Sequence, residues 1–304
     1  MSAVPAMRHR PAATPRRSGY LLVLIATLCY AIGGNVVKVL FRTGATPFAL
    51  AQLRIGFAFA WLLLFILLFR RSGLRVPRRE IPHLLIFGWV ALAGVQLTYY
   101  LAISRINIAV AVFTQFSAIV GVAAWERFRR QQAVSGRVWL AVLLVLGGAF
   151  LMVGAYRPAL LRLNLAGVGL SLLAAVFFAA FLLRASTLVT RVDRFSVLLY
   201  GFGAATVMWA LIDLVARPVL PTRPDVWVTM AAIGLFATLL PFALEVTALR
   251  WLRPSLVGIV AAAEPVFAGL IAFLFLKDSL EPLQVLGAAV VCAGIVLAQA
   301  DDGA

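Results

Sequence analysis

The chain alternates between long apolar runs and short polar connections, and the run lengths set the fold. A helix needs about 20 predominantly apolar residues to cross the hydrocarbon core of a bilayer. Measured against that length, the sequence predicts ten spans: 19–41, 47–69, 82–104, 106–125, 137–156, 164–184, 195–216, 225–249, 255–276 and 282–300. No connection is long enough to be a soluble domain. The longest, "RRSGLRVPRREI" at 70–81, carries five arginines. The expected fold is an all-α integral membrane protein.

Composition supports that reading. Hydrophobic residues make up 63% of the 304 and charged residues 12%, against about 25% charged in soluble domains. The net charge of +16 then describes a membrane protein, since the basic residues sit in short clusters between apolar runs and imply no nucleic-acid partner. With the N-terminus inside, eighteen Lys and Arg fall on the inner side and seven on the outer. The positive-inside rule therefore puts both termini, including a basic tail at 1–18, in the cytoplasm. No signal-type cleavage site follows that tail, so a multi-pass protein of the cytoplasmic membrane is expected. Cys29 and Cys292 fall singly within apolar runs and read as packing residues, with no disulfide, metal or cofactor implied. The histidines are His9 and His83 alone, and no catalytic cluster appears, so the sequence does not read as an enzyme.

The sequence also repeats. A shift of about 147 residues lays Gly19 on Gly167, Tyr30 on Phe178, Phe48 on Phe195 and Gly56 on Gly203. Within one residue, the same shift lays Gly88 on Gly234, Tyr99 on Glu245, Ala102 on Ala248 and Gly148 on Gly294. The units are 19–156 and 164–300, five spans each. An odd number of crossings inverts the second copy in the membrane. Two inverted five-helix repeats around a central cavity are an architecture of secondary transporters, with the site near the midplane where the halves meet.

The run at 234–298 carries Ala248–Leu249, Glu264–Pro265–Val266, Asp278, Leu283–Gln284, Leu286–Gly287 and Ala293–Gly294. In that order these resemble an EamA repeat of the drug/metabolite transporter superfamily. The first repeat matches through Glu126 in "AAWERFRR" and through "VLLVLGGAFL". It has no proline in "FTQFSAIVGV", and Asp278 replaces the usual glutamate in the second copy. The resemblance implies a ten-helix permease exporting amino acids or other small metabolites, and it does not name the substrate.

Candidate site residues are those a bilayer tolerates poorly. In "AAAEPVFAGLIAFLFLKD", 261–278, Glu264 is the one ionisable residue of the 21 from Leu256 to Leu276. A mid-span acid costs on the order of 3 kcal/mol. Pro265 has no N–H to offer the Ala261 carbonyl. Glu264 is thus either a group beside the transport path, where it can exchange a proton for a substrate amine, or part of a structural kink. Glu245 follows Pro241 by four residues at similar depth. Two close carboxylates would favour sharing one proton, or Glu245 snorkels or pairs with Arg250. Arg54 lies seven residues beyond Pro47, fit to bind a substrate carboxylate or a protein one. Lys38 is expected to snorkel at the outer end of its span.

Gln52, Gln96 and Gln115 are candidate polar cavity residues or interhelical contacts. Tyr30, Phe57, Tyr99, Tyr100, Phe116, Phe177, Phe178 and Phe242 are candidate aromatic lining or packing residues. The seven tryptophans read mostly as an interface belt. Gly33–Gly34, Gly147–Gly148 and Gly201/Gly203 permit close helix approach. Pro241 and Pro265 are expected to break their spans, whereas Val95 and Ile119 at the aligned positions leave the first half's helices intact.

The function read from these features is export of a small metabolite, an amino acid or related compound foremost, by alternating access. The alternatives are transport of another polar metabolite or drug-like compound, or a non-transport receptor or scaffold. The expected partners are a small-molecule substrate and the lipid bilayer. A homodimer is compatible with the sequence and not readable from it.

Overall fold

A computed structural model of the chain describes residues 13–40, 46–157, 164–216 and 220–302. Most of the predicted tail, with Arg8, His9 and Arg10, and the loop residues Arg42, Arg162 and Arg217 lie outside the described residues. Among the described residues every regular element is helical. Nine helices are long and apolar enough to cross a membrane: α1 (Arg16–Leu40), α2 (Phe48–Phe69), α3 (Arg78–Ile103), α4 (Ile108–Phe128), α6 (Leu165–Leu188), α7 (Arg194–Val215), α8 (Pro224–Ala248), α9 (Pro254–Phe275) and α10 (Pro282–Asp301). The shorter α5 (Gly136–Met152) has 17 residues, about the lower limit for a crossing, and supplies a tenth.

Local chemistry marks the helix starts. Thr46, Asn107, Ser135 and Asn164 accept backbone N–H groups at the openings of α2, α4, α5 and α6, as N-cap residues do. Pro224 and Pro254 open α8 and α9, where a missing N–H costs nothing.

The helices pack as two interchangeable halves. α3 packs on α6 and α1 on α8; α1 packs on α9 and α6 on α4; α7 packs on α3 and α2 on α8. Exchanging each helix for the one five places on maps this contact set onto itself. The pairs α5–α10 and α2–α7 are their own counterparts. α5 and α10 touch backbone to backbone: a Cβ on Gly148 would lie 2.7 Å from the Gly287 carbonyl oxygen, and one on Gly287 2.6 Å from that of Gly148. Gly147 faces open space, so only one glycine of that pair serves the contact.

Both halves break the same two helices, which corrects the expectation drawn from the prolines. α3 contains a π turn at Phe87–Ala93 and α8 one at Leu235–Leu239. α4 is interrupted at Ser117 and α9 at Ala262–Ala263. In α4 the Ser117 N–H reaches Thr114 O and the Val120 N–H reaches Ser117 O; in α9 Ala263 reaches Val260 and Val266 reaches Ala263. These are the same two short bonds one repeat apart. Proline is sufficient for such a break and not required. In α4 hydroxyls bond the loosened carbonyls, Ser117 Oγ to Thr114 O at 2.6 Å and Thr114 Oγ1 to Val110 O at 2.7 Å. In an apolar surround this satisfaction is what makes a break tolerable.

Candidate functional site

The broken helices surround one cavity of about 900 Å³ between the two repeats, within the range of small-molecule sites. Its lining includes all seven residues singled out from the sequence as pathway candidates: Tyr30, Arg54, Tyr99, Phe178, Glu245, Glu264 and Pro265. α1 contributes Tyr30, Gly34 and Lys38, a stripe at successive turns of one face. Gln96 and Gln115 also line it, as do Tyr100, Phe116 and Phe242.

Glu264 begins the second half of α9, with Pro265 in its first turn. The break thus places a carboxylate at a half-helix N-terminus, where the helix dipole favours negative charge. The side chain is half-buried and has no hydrogen bond or ion pair to another described residue. Glu245 is differently placed. It is 2% exposed and accepts a hydrogen bond from the Tyr30 hydroxyl at 3.1 Å. Arg250, its predicted partner, is not paired with it; Glu245 faces the cavity on α8 while Arg250 lies in the turn beyond that helix.

Arg54 reaches across from α2 to α8. Its Nε donates to Thr238 Oγ1 and its Nη2 to Ala237 O, each at 3.1 Å. The guanidinium makes no ion pair with a described carboxylate. Asn35 donates from Nδ2 to Ala268 O at 3.2 Å, tying α1 to the second half of α9. Tyr30, Phe178, Phe181 and Phe242 form an aromatic wall; Phe242 sits edge-on to Tyr30 at 5.6 Å and to Phe181 at 5.3 Å.

Several sequence expectations land elsewhere. Gln52 is hydrogen-bonded to Asp213 between α2 and α7, outside the cavity. Phe57 sits edge-on to Trp227 and Phe177 packs against Gly94, and neither lines it. Trp209 is not a belt residue: it is 1% exposed and sits edge-on to Phe48. Lys38 does not end free in the interface but pairs with Asp278 at 2.8 Å. Phe181, Asn35 and Thr238 were missed. Phe181 lies one turn beyond Phe178, and Asn35 is a polar residue within an apolar span; both are signals that the pattern carries.

The cavity is open at one end of the bundle and shut at the other. Lys38, Asn107, Ile108, Leu280 and Gln284 line its mouth. At the opposite end, Glu126 of α4 is fully buried and accepts the Ser255 N–H at 3.0 Å and the Ser255 hydroxyl at 2.5 Å from the start of α9. Arg130 donates to Leu183 O at 2.8 Å and to Thr187 Oγ1 at 3.0 Å. Ser196 donates to Gly73 O and Arg253 to Ala133 O, both at 2.7 Å. Each of these bonds joins one repeat to the other, over a plug that contains the buried side chains Ile119, Leu182, Val257 and Val260.

The model of the EamA-like transporter family matches residues 17–154 and again 165–299. The chain belongs to that family, as a two-repeat membrane transporter. It is 27% identical over 273 residues to the threonine/homoserine exporter RhtA of Escherichia coli (strain K12), covering 90% of this chain and 88% of that one. It is 24% identical over 291 residues to the uncharacterized transporter YcbK of Bacillus subtilis (strain 168), covering 91% and 90%. A crystal structure superposes with a TM-score of 0.81 at 19% identity, covering 94% of this chain and 98% of that one. That likeness speaks for the fold alone.

Proposed function

We propose that this transporter exports an amino acid or a closely related compound across the cytoplasmic membrane by alternating access. One observation carries the reading. A carboxylate with no hydrogen bond or ion pair among the described residues, Glu264, and a braced guanidinium, Arg54, face the same cavity where the repeats meet. An α-amino acid carries the complementary pair of charges. Glu264 takes the ammonium, Arg54 the carboxylate, and the wall of Phe178, Phe181 and Phe242 the side chain. Glu264 then alternates between substrate amine and proton, which couples export to the proton gradient. The Tyr30–Glu245 pair lines the same space and keeps Glu245 held while Glu264 is free.

Loop arginines support an N-inside orientation, which makes the mouth the outer end and the Glu126 end the cytoplasmic one. The resemblance to a threonine/homoserine exporter supports the amino-acid class and makes those two compounds the first to assay. The aromatic wall favours a second reading, export of a larger drug-like amine. The deciding experiment is transport by purified protein in proteoliposomes, with labelled threonine, homoserine and an aromatic amine in parallel. The reading predicts uptake of at least one amino acid, abolished by Arg54→Gln and slowed, with its pH dependence lost, by Glu264→Gln. Transport of the amine alone, indifferent to Arg54, overturns it in favour of the second reading.

A further inference from the structure

We infer that Thr238 and the carbonyl of Ala237 position Arg54 for an anionic group of the substrate, so that the π turn of α8 sets the cavity's charge recognition. This rests on the role given to Arg54 above. Pro241 stands four residues after Ala237 and has no N–H to bond the Ala237 carbonyl. That carbonyl accepts Arg54 Nη2 instead, at 3.1 Å. Thr238 supplies the second brace. Its hydroxyl donates to Ile233 O, five residues back, at 3.1 Å, a reach that belongs to a π turn. Its oxygen then accepts Arg54 Nε at 3.1 Å.

A guanidinium has five N–H donors in a rigid fork. Two are spent on α8, and the other three, including both on Nη1, stay available at the cavity wall. A long flexible side chain ordinarily gives up rotamer freedom on binding, and ordering it beforehand lowers that cost. The brace itself is fixed in place: a Cβ on Gly33 would overlap that of Ala237, so α1, α2 and α8 meet at this one residue. Thr238 and Pro241 are positioning residues. Neither lines the cavity; both act through Arg54.

The test is transport kinetics in proteoliposomes for wild type, Thr238→Val, Thr238→Ser, Pro241→Ala and Arg54→Gln. The substrate is used alongside its analogue without the carboxylate. Valine keeps the shape of Thr238 and removes the acceptor, so KM for the amino acid is expected to rise about tenfold, the usual weight of one hydrogen bond to a charged group. The maximal rate stays within about twofold, and the analogue's kinetics do not move. Thr238→Ser restores the wild-type KM. Pro241→Ala returns an N–H that competes for the Ala237 carbonyl, and it raises KM several-fold; it carries the test alone if Thr238→Val does not reach the membrane. An unchanged KM in these variants, or a fall in maximal rate with KM constant, overturns the inference while Arg54→Gln still abolishes transport. Wild-type kinetics in Arg54→Gln instead overturn the proposed function itself.

Discussion

The end of the bundle that holds the Lys38–Asp278 pair and the end that holds Glu126 are built from equivalent pieces of the two repeats, yet only the second is shut. At the shut end an acidic residue of α4 caps the start of α9: Glu126, fully buried, takes both the N–H and the hydroxyl of Ser255. At the open end its motif counterpart, Asp278, pairs with Lys38, and both side chains stay about half exposed, at 50% and 53%. The start of α4, capped by Asn107, lies at the mouth without such a contact. The difference is one of pairing. The same parts are present twice, and the chain has engaged one set.

The comparison predicts its own inverse. If the halves exchange roles during transport, Asp278 must reach the start of α4 when Glu126 lets go of Ser255. The largest effect is therefore expected at Glu126. Glu126→Ala leaves the Ser255 N–H and hydroxyl buried without their acceptor, at a cost of about 2 kcal/mol. All of it falls on the state with the Glu126 end closed. Val257 is fully buried in the plug, so accessibility of Val257→Cys to thiol reagent from the Glu126 side should rise by about tenfold or more. Unchanged accessibility would show that the Glu126 contact holds nothing shut. The converse test is a crosslink. Asn107→Cys with Asp278→Cys should form a disulfide during turnover and not in protein held outward-open. Equal crosslinking in both conditions would sink the role exchange.

A smaller effect concerns pH. If Glu264 takes the substrate amine as proposed, protons compete with it, so KM measured from the binding side should rise as pH falls from about 8 to about 5.5, and Glu264→Gln should flatten that dependence. The variant keeps shape and hydrogen bonding. Normal pH dependence in Glu264→Gln would return Glu264 to a structural kink.

Smaller again is Pro265→Ala. The first repeat makes the same break with Ser117 and no proline, so α9 should keep its interruption and transport should slow by no more than a few-fold. A complete loss would mean that proline does something at α9 that geometry does not reveal. The smallest effect belongs to Glu281, at the mouth. Hydrogen bonds from Tyr156 at 2.6 Å and from Arg157 hold its carboxyl below the usual carboxylate range. A depressed carboxylate contributes its tie at neutral pH and loses it only as pH falls through the folded value. The side chain is about half exposed, so Glu281→Gln should shift the melting temperature by no more than about 2 °C at neutral pH.

What was readable in the sequence follows the same physics. A bilayer enforces long apolar runs, so the spans and the repeat offset could be read directly. It also makes mid-span charge expensive, so Glu264, Glu245 and Arg54 had few places to go other than a shared cavity, and they line one. Features that cost little were hidden. The break in α4 needs only the hydroxyls of Thr114 and Ser117, which look ordinary in a helix. Glu126 stands beside arginines in "AAWERFRR", just past the predicted end of its span, where nothing in the sequence marks it as buried, although it is fully buried. Trp209 reads as a belt residue because hydropathy does not say which helix face meets lipid. Arg54's partners were unreadable for a different reason. They lie on α8, 184 residues away, and only the folded meeting of the repeats brings them together.

The most direct test of the account is whether transported substrate occupies this cavity from the outer side. In a background with Cys29 and Cys292 replaced by serine, Gln96→Cys puts one thiol on the cavity wall. Intact cells are treated with a membrane-impermeant thiol reagent, with and without a saturating amino acid already shown to be transported. The account predicts rapid labelling from outside that the substrate suppresses by about tenfold or more. Labelling that the substrate leaves unchanged, or a thiol reached only from the cytoplasmic side, would contradict it.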